Sequence, residues 1–200
     1  MRPADSRVAD ADVVAAACAG DRGAFRLLIA RHGDALYRFL RARVGNEAEA
    51  EDLVQEVFVA AYRALHRYDP TRPLRTWLLA ISVNKSRDWR RRRAVRSFFT
   101  RATPLASEAL QVASDEVPTD RQAADRQALA HAWAALSTIS ATLAEPLLLT
   151  AVEGLSQAEA GAVLGISAKA VETRIYRARA ALRTALEGHG GGLRSNESDA

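Results

Sequence analysis

One cysteine in 200 residues excludes a disulfide framework and any cysteine-based metal site. That residue, Cys18, ends the apolar run Val13-Val14-Ala15-Ala16-Ala17-Cys18, where a small core side chain is expected. No apolar stretch approaches the roughly 18 residues that a membrane-spanning helix needs. The N-terminus, with Asp5 and Asp10 ahead of a short Ala-rich stretch, makes a poor signal peptide. A soluble, cytoplasmic protein without membrane insertion is expected. The histidines His32, His66, His131 and His189 are scattered, and no nucleophile motif, phosphate loop or metal-ligand spacing is present. No catalytic residue, cofactor or metal is therefore expected, and the chain does not read as an enzyme. Aromatic residues make up only 6%, and β-branched strand formers are sparse as well.

What is present is apolar and helix-forming. Hydrophobic residues are 48% of the chain, dominated by Ala and Leu, which favour helix. The expected fold is all-α, in two small helical domains joined by a flexible acidic linker. The net charge is +4 and the pI about 9.7. Every basic residue except Lys85 and Lys169 is arginine. The guanidinium fork suits phosphate and guanine, although a GC-rich genome would produce the same bias, so position must decide.

From about Asp10 to Arg96 the chain reads as a string of helices. Asp21 is placed to cap the second, whose apolar positions are Phe25, Leu28, Leu36, Phe39 and Leu40, and Gly45 fits its stop. Asn46 with Glu49 three later resembles a capping box. In the third helix Leu53, Val57, Ala60 and Ala64 form one apolar stripe beside Val54, Phe58, Ala61 and Leu65. Asp52, Gln55, Glu56, Val59 and Arg63 share the opposite face. Tyr68-Asp69-Pro70-Thr71-Arg72-Pro73 must be a loop, since two prolines three apart interrupt a helix. A further helix from about Leu74 to Arg93 starts apolar and ends basic. Periodicity fades over about 97–125, a linker with the acids Glu108, Asp115, Glu116, Asp120 and Asp125. Helical patterning returns over about 126–187, and Gly188-His189-Gly190-Gly191-Gly192 begins a tail with no means of packing.

Two constellations carry chemistry. Ser156 with Glu159 is a capping box, Gly165 supplies a tight turn and Ser167 can cap the helix that follows: a helix-turn-helix. In its second helix Val171, Ile175, Ala178 and Leu182 share one face, and Lys169, Thr173, Tyr176 and Arg177 point the other way, flanked by Glu172, Arg174, Arg179 and Arg183. A helix that grips its own domain by one stripe and offers Lys, Thr and Arg opposite is suited to a DNA major groove. An ordinary amphipathic helix with a solvated basic face is the plainer alternative. The second constellation is Arg75, Lys85, Arg87, Arg90, Arg91, Arg92, Arg93, Arg96 and Arg101 against the single acid Asp88, interleaved with Trp77, Trp89, Phe98 and Phe99. Charge this dense leads one to expect a polyanion as partner, with a merely solvated charge run as the plainer alternative. Asn84, within it, can pair with a base edge or receive an extruded base.

Gly20-Asp21-Arg22-Gly23-Ala24-Phe25, Asp52-Leu53-Val54-Gln55-Glu56-Val57-Phe58 and Asn84-Lys85-Ser86-Arg87-Asp88-Trp89-Arg90-Arg91 resemble the first conserved domain of extracytoplasmic-function sigma factors of bacterial RNA polymerase. Glu153-Gly154-Leu155-Ser156 through Arg177-Ala178-Arg179 resembles their promoter-reading domain. The resemblance implies a region 2-like domain over 1–96, a linker over 97–125, a region 4-like domain over 126–187 and a disordered tail over 188–200. It implies that Asp52, Gln55, Glu56 and Val59 dock on the β′ clamp helices of core polymerase, with a further contact to the β flap. Asn84, Lys85, Arg87, Asp88, Arg91 and Arg92, with the loop before them, would open and hold the −10 element. Lys169, Glu172, Thr173, Arg174 and Arg177 would read the −35 element. The linker would thread the polymerase channels, and a separate anti-sigma protein would supply regulation in a stress or envelope response.

Two positions depart from the pattern. Glu172 stands where relatives often have lysine, and Pro146 falls inside the helix expected over Ala141 to Val152. That helix either starts late, with Pro146 in its first turn, or kinks there. Three rival readings compete with the sigma factor: a sigma-like decoy that binds an anti-sigma factor without DNA, a plain helix-turn-helix repressor, and an enzyme. The decoy should have lost its basic contacts, and a repressor leaves the first domain's acidic face and basic helix without a purpose.

Overall fold

The computed structural model describes residues 3–101, 135–136 and 138–190. Its helices are α1 (Pro3–Cys18), α2 (Arg22–Val44), α3 (Glu47–Ala64), a 3₁₀ turn at Leu65–Arg67, α4 (Leu74–Arg101), α5 (Ala141–Ala151), α6 (Gln157–Leu164) and α7 (Ala168–Gly190). No strand occurs among the described residues, as the Ala- and Leu-rich composition requires.

Local chemistry sets the boundaries. The Asp21 carboxylate accepts from the Gly23 and Ala24 N–H groups at 2.7 and 3.2 Å and opens α2. Gly45 closes it at φ 75°, a left-handed conformation that only glycine adopts cheaply. Asn46 caps α3 by accepting from the Glu49 N–H at 3.0 Å. The Glu49 side chain, expected to complete the box, instead lies 3.6 Å from Arg93 of α4.

α1 to α4 enclose Leu36, Phe39, Leu40, Leu53, Val57 and Leu79, each with at most 2% of its surface exposed. At about 25 cal/mol per Å² of apolar surface removed from water, burial of this kind drives the packing. α5 to α7 bury Leu148, Leu149, Val171 and Ala178. These two cores are continuous, because the buried apolar residues form one cluster running from Val14 to Ala178.

Four expectations are corrected or sharpened. Cys18 is exposed: α1 buries Val14 and Ala17, and the last residue of the helix turns about 100° away from Ala17. α4 continues past Arg93 to Arg101, through the first residues assigned to the linker. Its charge is tolerated because Arg91, Arg92 and Arg93 pair with Asp88, Glu56 and Glu49. α7 continues to Gly190, into the stretch read as tail. Pro146 is the sixth residue of α5 and is buried, so the helix does not start late. The proline lacks an N–H for the carbonyl of exposed Thr142, which water can serve. Most of the linker, 102–125, and the first part of the second domain, 126–134 with His131, lie outside the described residues.

Candidate functional site

α3 separates two kinds of surface. Leu53, Val57, Phe58 and Ala61 face the core, whereas Asp52, Gln55 and Val59 are exposed and Glu56 is half-buried. Beside Gln55 and Val59 an open apolar groove of about 970 Å³ runs between α2 and α3, with Phe25, Ile29, Phe58 and Tyr62 in its lining and Arg22, Arg26 and Arg63 around it. Phe25 meets Tyr62 edge-on, with ring centroids 4.9 Å apart, which fixes the groove wall. Val59 and Tyr62 are each about half exposed, more apolar surface than a solvated helix face needs.

α4 carries the predicted DNA-binding set. Asn84 is exposed and has no side-chain partner among the described residues. Lys85 Nζ reaches Glu56 Oε2 at 3.1 Å, and Arg92 lies 3.6 Å from the other Glu56 oxygen. Asp88 is paired with Arg91, one turn along the same helix. Arg93 stacks its guanidinium 5.3 Å over the Trp89 ring. The loop preceding α4 is built rather than slack: Asp69 accepts from the Thr71 N–H and hydroxyl at 3.0 and 2.7 Å, and the Tyr68 hydroxyl donates to the Arg72 carbonyl. The Tyr68 ring lies 5.4 Å from Trp77, anchoring the loop to α4.

α6 and α7 form the predicted helix-turn-helix. Ser156 and Glu159 make both bonds of the capping box, and Gly165 takes φ 68° at the turn. Ser167 Oγ accepts from the Ala170 N–H at 3.2 Å to open α7. Val171, Ile175 and Ala178 are buried, while Lys169, Thr173, Arg177 and Tyr176 (78% exposed) face solvent. Lys169 pairs with Glu172 at 2.8 Å, the Thr173 hydroxyl donates to the Lys169 carbonyl, and Arg174 is half-buried. Gly161 is a requirement that sequence reasoning did not single out: a Cβ there would lie 2.7 Å from the Ile166 carbonyl oxygen.

Charged groups buried between the two helical sets were also missed. Glu145 of α5, 1% exposed, receives Arg87 Nε at 3.0 Å and Nη2 at 2.6 Å, and Arg43 Nη2 at 3.4 Å. Burial pushes the Arg43 guanidinium down to about 10, against the opposing pull of Glu145. Hydrogen bonding to Glu145 raises Arg87. Glu153, beyond α5, receives Arg75 at 2.6 Å and has Arg38 at 3.8 Å. The signal in the sequence was a charge on an apolar stripe: Arg43 follows Phe39 and Leu40 at helical spacing, and Glu145 interrupts Leu143-Ala144-Glu145-Pro146-Leu147.

Known proteins carry the same arrangement. Sigma-70 region 2 matches residues 28–96, and sigma-70 region 4 matches residues 132–182. The RNA polymerase sigma factor CnrH of Cupriavidus metallidurans is 44% identical over 94% of this chain and 97% of its own. NccH of Alcaligenes xylosoxydans xylosoxydans is 39% identical over 86% and 91%, and the ECF sigma factor SigD of Mycobacterium tuberculosis 34% over 83% and 78%. The solved structure of CnrH in complex with the cytosolic domain of CnrY superposes with a TM-score of 0.65 over 92% of this chain and 97% of that one, at 36% identity. Matched over sigma-70 regions 2 and 4 and similar to these relatives over most of its length, this chain belongs to the sigma-70 family of RNA polymerase sigma factors, in its extracytoplasmic-function group.

Proposed function

We propose that the chain binds core RNA polymerase through Asp52, Gln55, Glu56 and Val59 and carries it to promoters through two separate DNA-reading surfaces. The −10 element is opened and held by the Tyr68–Pro73 loop and by Asn84, Lys85, Arg87, Asp88, Arg91 and Arg92. Lys169, Glu172, Thr173, Arg174 and Arg177 of α7 contact the −35 element. The observation that carries this reading is the division of α7: its buried Val171, Ile175 and Ala178 leave the polar set facing outward. A recognition helix needs that division to enter a major groove while it stays fixed to its domain.

The clamp helices of β′ fit beside Gln55 and Val59, where the apolar groove adds area to the polar contacts, and region 4 meets the β flap. The functional units are 1–96 and 126–187, with α4 and α7 running past their ends to Arg101 and Gly190. The chain has no catalytic role of its own and acts in the cytoplasm with the polymerase. CnrH is solved in complex with the cytosolic domain of CnrY, and a protein partner of this chain, an anti-sigma factor, governs it in a stress or envelope response. Run-off transcription on a randomised promoter library tests the whole. Specific transcripts are expected only when the chain and core polymerase are both present; initiation by core alone, or none with both, overturns it.

A further inference from the structure

We infer that the free chain is held closed by two carboxylates of the second helical set, Glu145 and Glu153, which occupy arginines of the first set as phosphates of DNA would. The two contacts are independent. Glu145 takes Arg87 in a two-pronged bond and Arg43 beside it; Glu153 takes Arg75, with Arg38 at the edge. Both carboxylates are fully buried, and each lies against helices to which it has no sequence proximity. Arg87 belongs to the helix proposed to hold the −10 element, so the closed form uses up part of the DNA-binding surface. The cleft beside the Glu153 pair, about 300 Å³, has Tyr68, Pro70 and Pro73 of the −10 loop on one wall and Leu155 and Glu159 of the helix-turn-helix on the other. Closure therefore also sets the second domain against that loop.

The chemistry of the contact makes it a latch rather than a permanent interface. A buried ion pair contributes little net stability, because desolvation offsets the attraction, yet an unpaired buried charge is strongly disfavoured. Arg43 is 3% exposed and can be covered only when Glu145 arrives with it. Arg43 Nε, Arg75 Nε and one Glu153 oxygen meet no hydrogen-bond partner among the described residues. A polyanion can replace carboxylates on arginines, since phosphate oxygens accept the same forked bonds. An apolar contact of equal area would not respond to DNA in this way.

The DNA half of the inference rests on the contact proposed above for Arg87; the closure half does not. The test uses the full chain without polymerase. Glu145→Gln with Glu153→Gln keeps shape and removes both charges. Small-angle scattering should report a larger radius of gyration at unchanged helix content. Binding to a duplex of arbitrary sequence should tighten: were the open form about a tenth of the free population, apparent affinity would rise about tenfold. Glu153→Arg alone should also open the chain, and adding Arg75→Glu should close it again, which general unfolding would not allow. If the double glutamine variant stays as compact as the parent, the latch is overturned. Expansion with unchanged duplex affinity would overturn the phosphate-like role while leaving polymerase-dependent transcription as a separate question.

Discussion

The Glu56 carboxylate, on the face proposed for polymerase, holds the Lys85 ammonium of the proposed DNA-binding helix at 3.1 Å. Its other oxygen lies 3.6 Å from Arg92. One side chain thus stands between the two working surfaces of the first helical set. Half-exposed pairs of this kind contribute about 0–1 kcal/mol, so either surface can recruit its own member without unfolding anything.

Replacing Gln55 and Glu56 together with alanine should weaken core-polymerase binding clearly. Stability should change by about 0.5 kcal/mol or less, because neither residue lies in the core. Fluorescence anisotropy against core enzyme and a thermal melt measure the two effects. Unchanged affinity with a collapsed melting temperature would mean that this face of α3 packs inward in solution.

The caps and stripes were legible because their determinants are local. Asp21, Asn46 and Ser156 act on N–H groups two or three residues away, and the Val171-Ile175-Ala178 stripe follows from helical periodicity alone. The Arg43–Glu145 pair spans 102 residues, and no local rule relates a charge on α2 to one on α5. The same holds for Arg75 with Glu153. Cys18 was misjudged because an alanine-rich helix end offers several equivalent small residues, and only docking against α2 decides which of them is covered. The extent of α4 depended on carboxylates of α3, which periodicity cannot supply.

Gly161→Ala should destabilise the second helical set by about 1–3 kcal/mol, the usual range for forcing extra atoms into a packed interior. The added Cβ meets a backbone carbonyl at 2.7 Å, so relief requires moving the turn between α6 and α7. Gly33→Ala provides the control, since nothing lies within 4 Å of its Cβ position and alanine favours helix. Differential scanning calorimetry together with binding to an upstream-element duplex should separate them. Equal stability of the two variants would contradict the tight approach.

Acid sensitivity should trace in part to His32. Its ring nitrogen lies 3.0 Å from Asp10, but burial outweighs that carboxylate and lowers its pKa below 6.5. The folded state therefore binds this proton less readily than the unfolded chain does. The associated stability is complete above pH 6.5 and is lost as pH falls through 6.5 towards the folded value. His32→Gln should flatten the pH dependence of chemical unfolding below 6.5. An identical pH profile for parent and variant would remove His32 from the account.

The proposed division between base reading and phosphate binding can be measured on the two basic helices. Arg91 and Arg92 are exposed, and their present partners, Asp88 and Glu56, hold them only at the surface. Each phosphate contact they make should contribute on every sequence and steepen the salt dependence by about 0.9. Lys169 and Arg177 stand opposite the buried stripe of α7, where a good base contact discriminates by about 1–3 kcal/mol. Lys169 must first leave Glu172, an exposed pair of small worth. Arg91→Ala with Arg92→Ala should weaken holoenzyme binding similarly on all cognate promoters and flatten the salt slope. Lys169→Ala or Arg177→Ala should change which upstream sequences are preferred, with the salt slope altered by at most one contact. A titration of holoenzyme against upstream-element variants at several salt concentrations separates the two effects. Should the arginine pair alter sequence preference while Lys169 and Arg177 alter only the salt slope, the roles assigned to α4 and α7 are reversed.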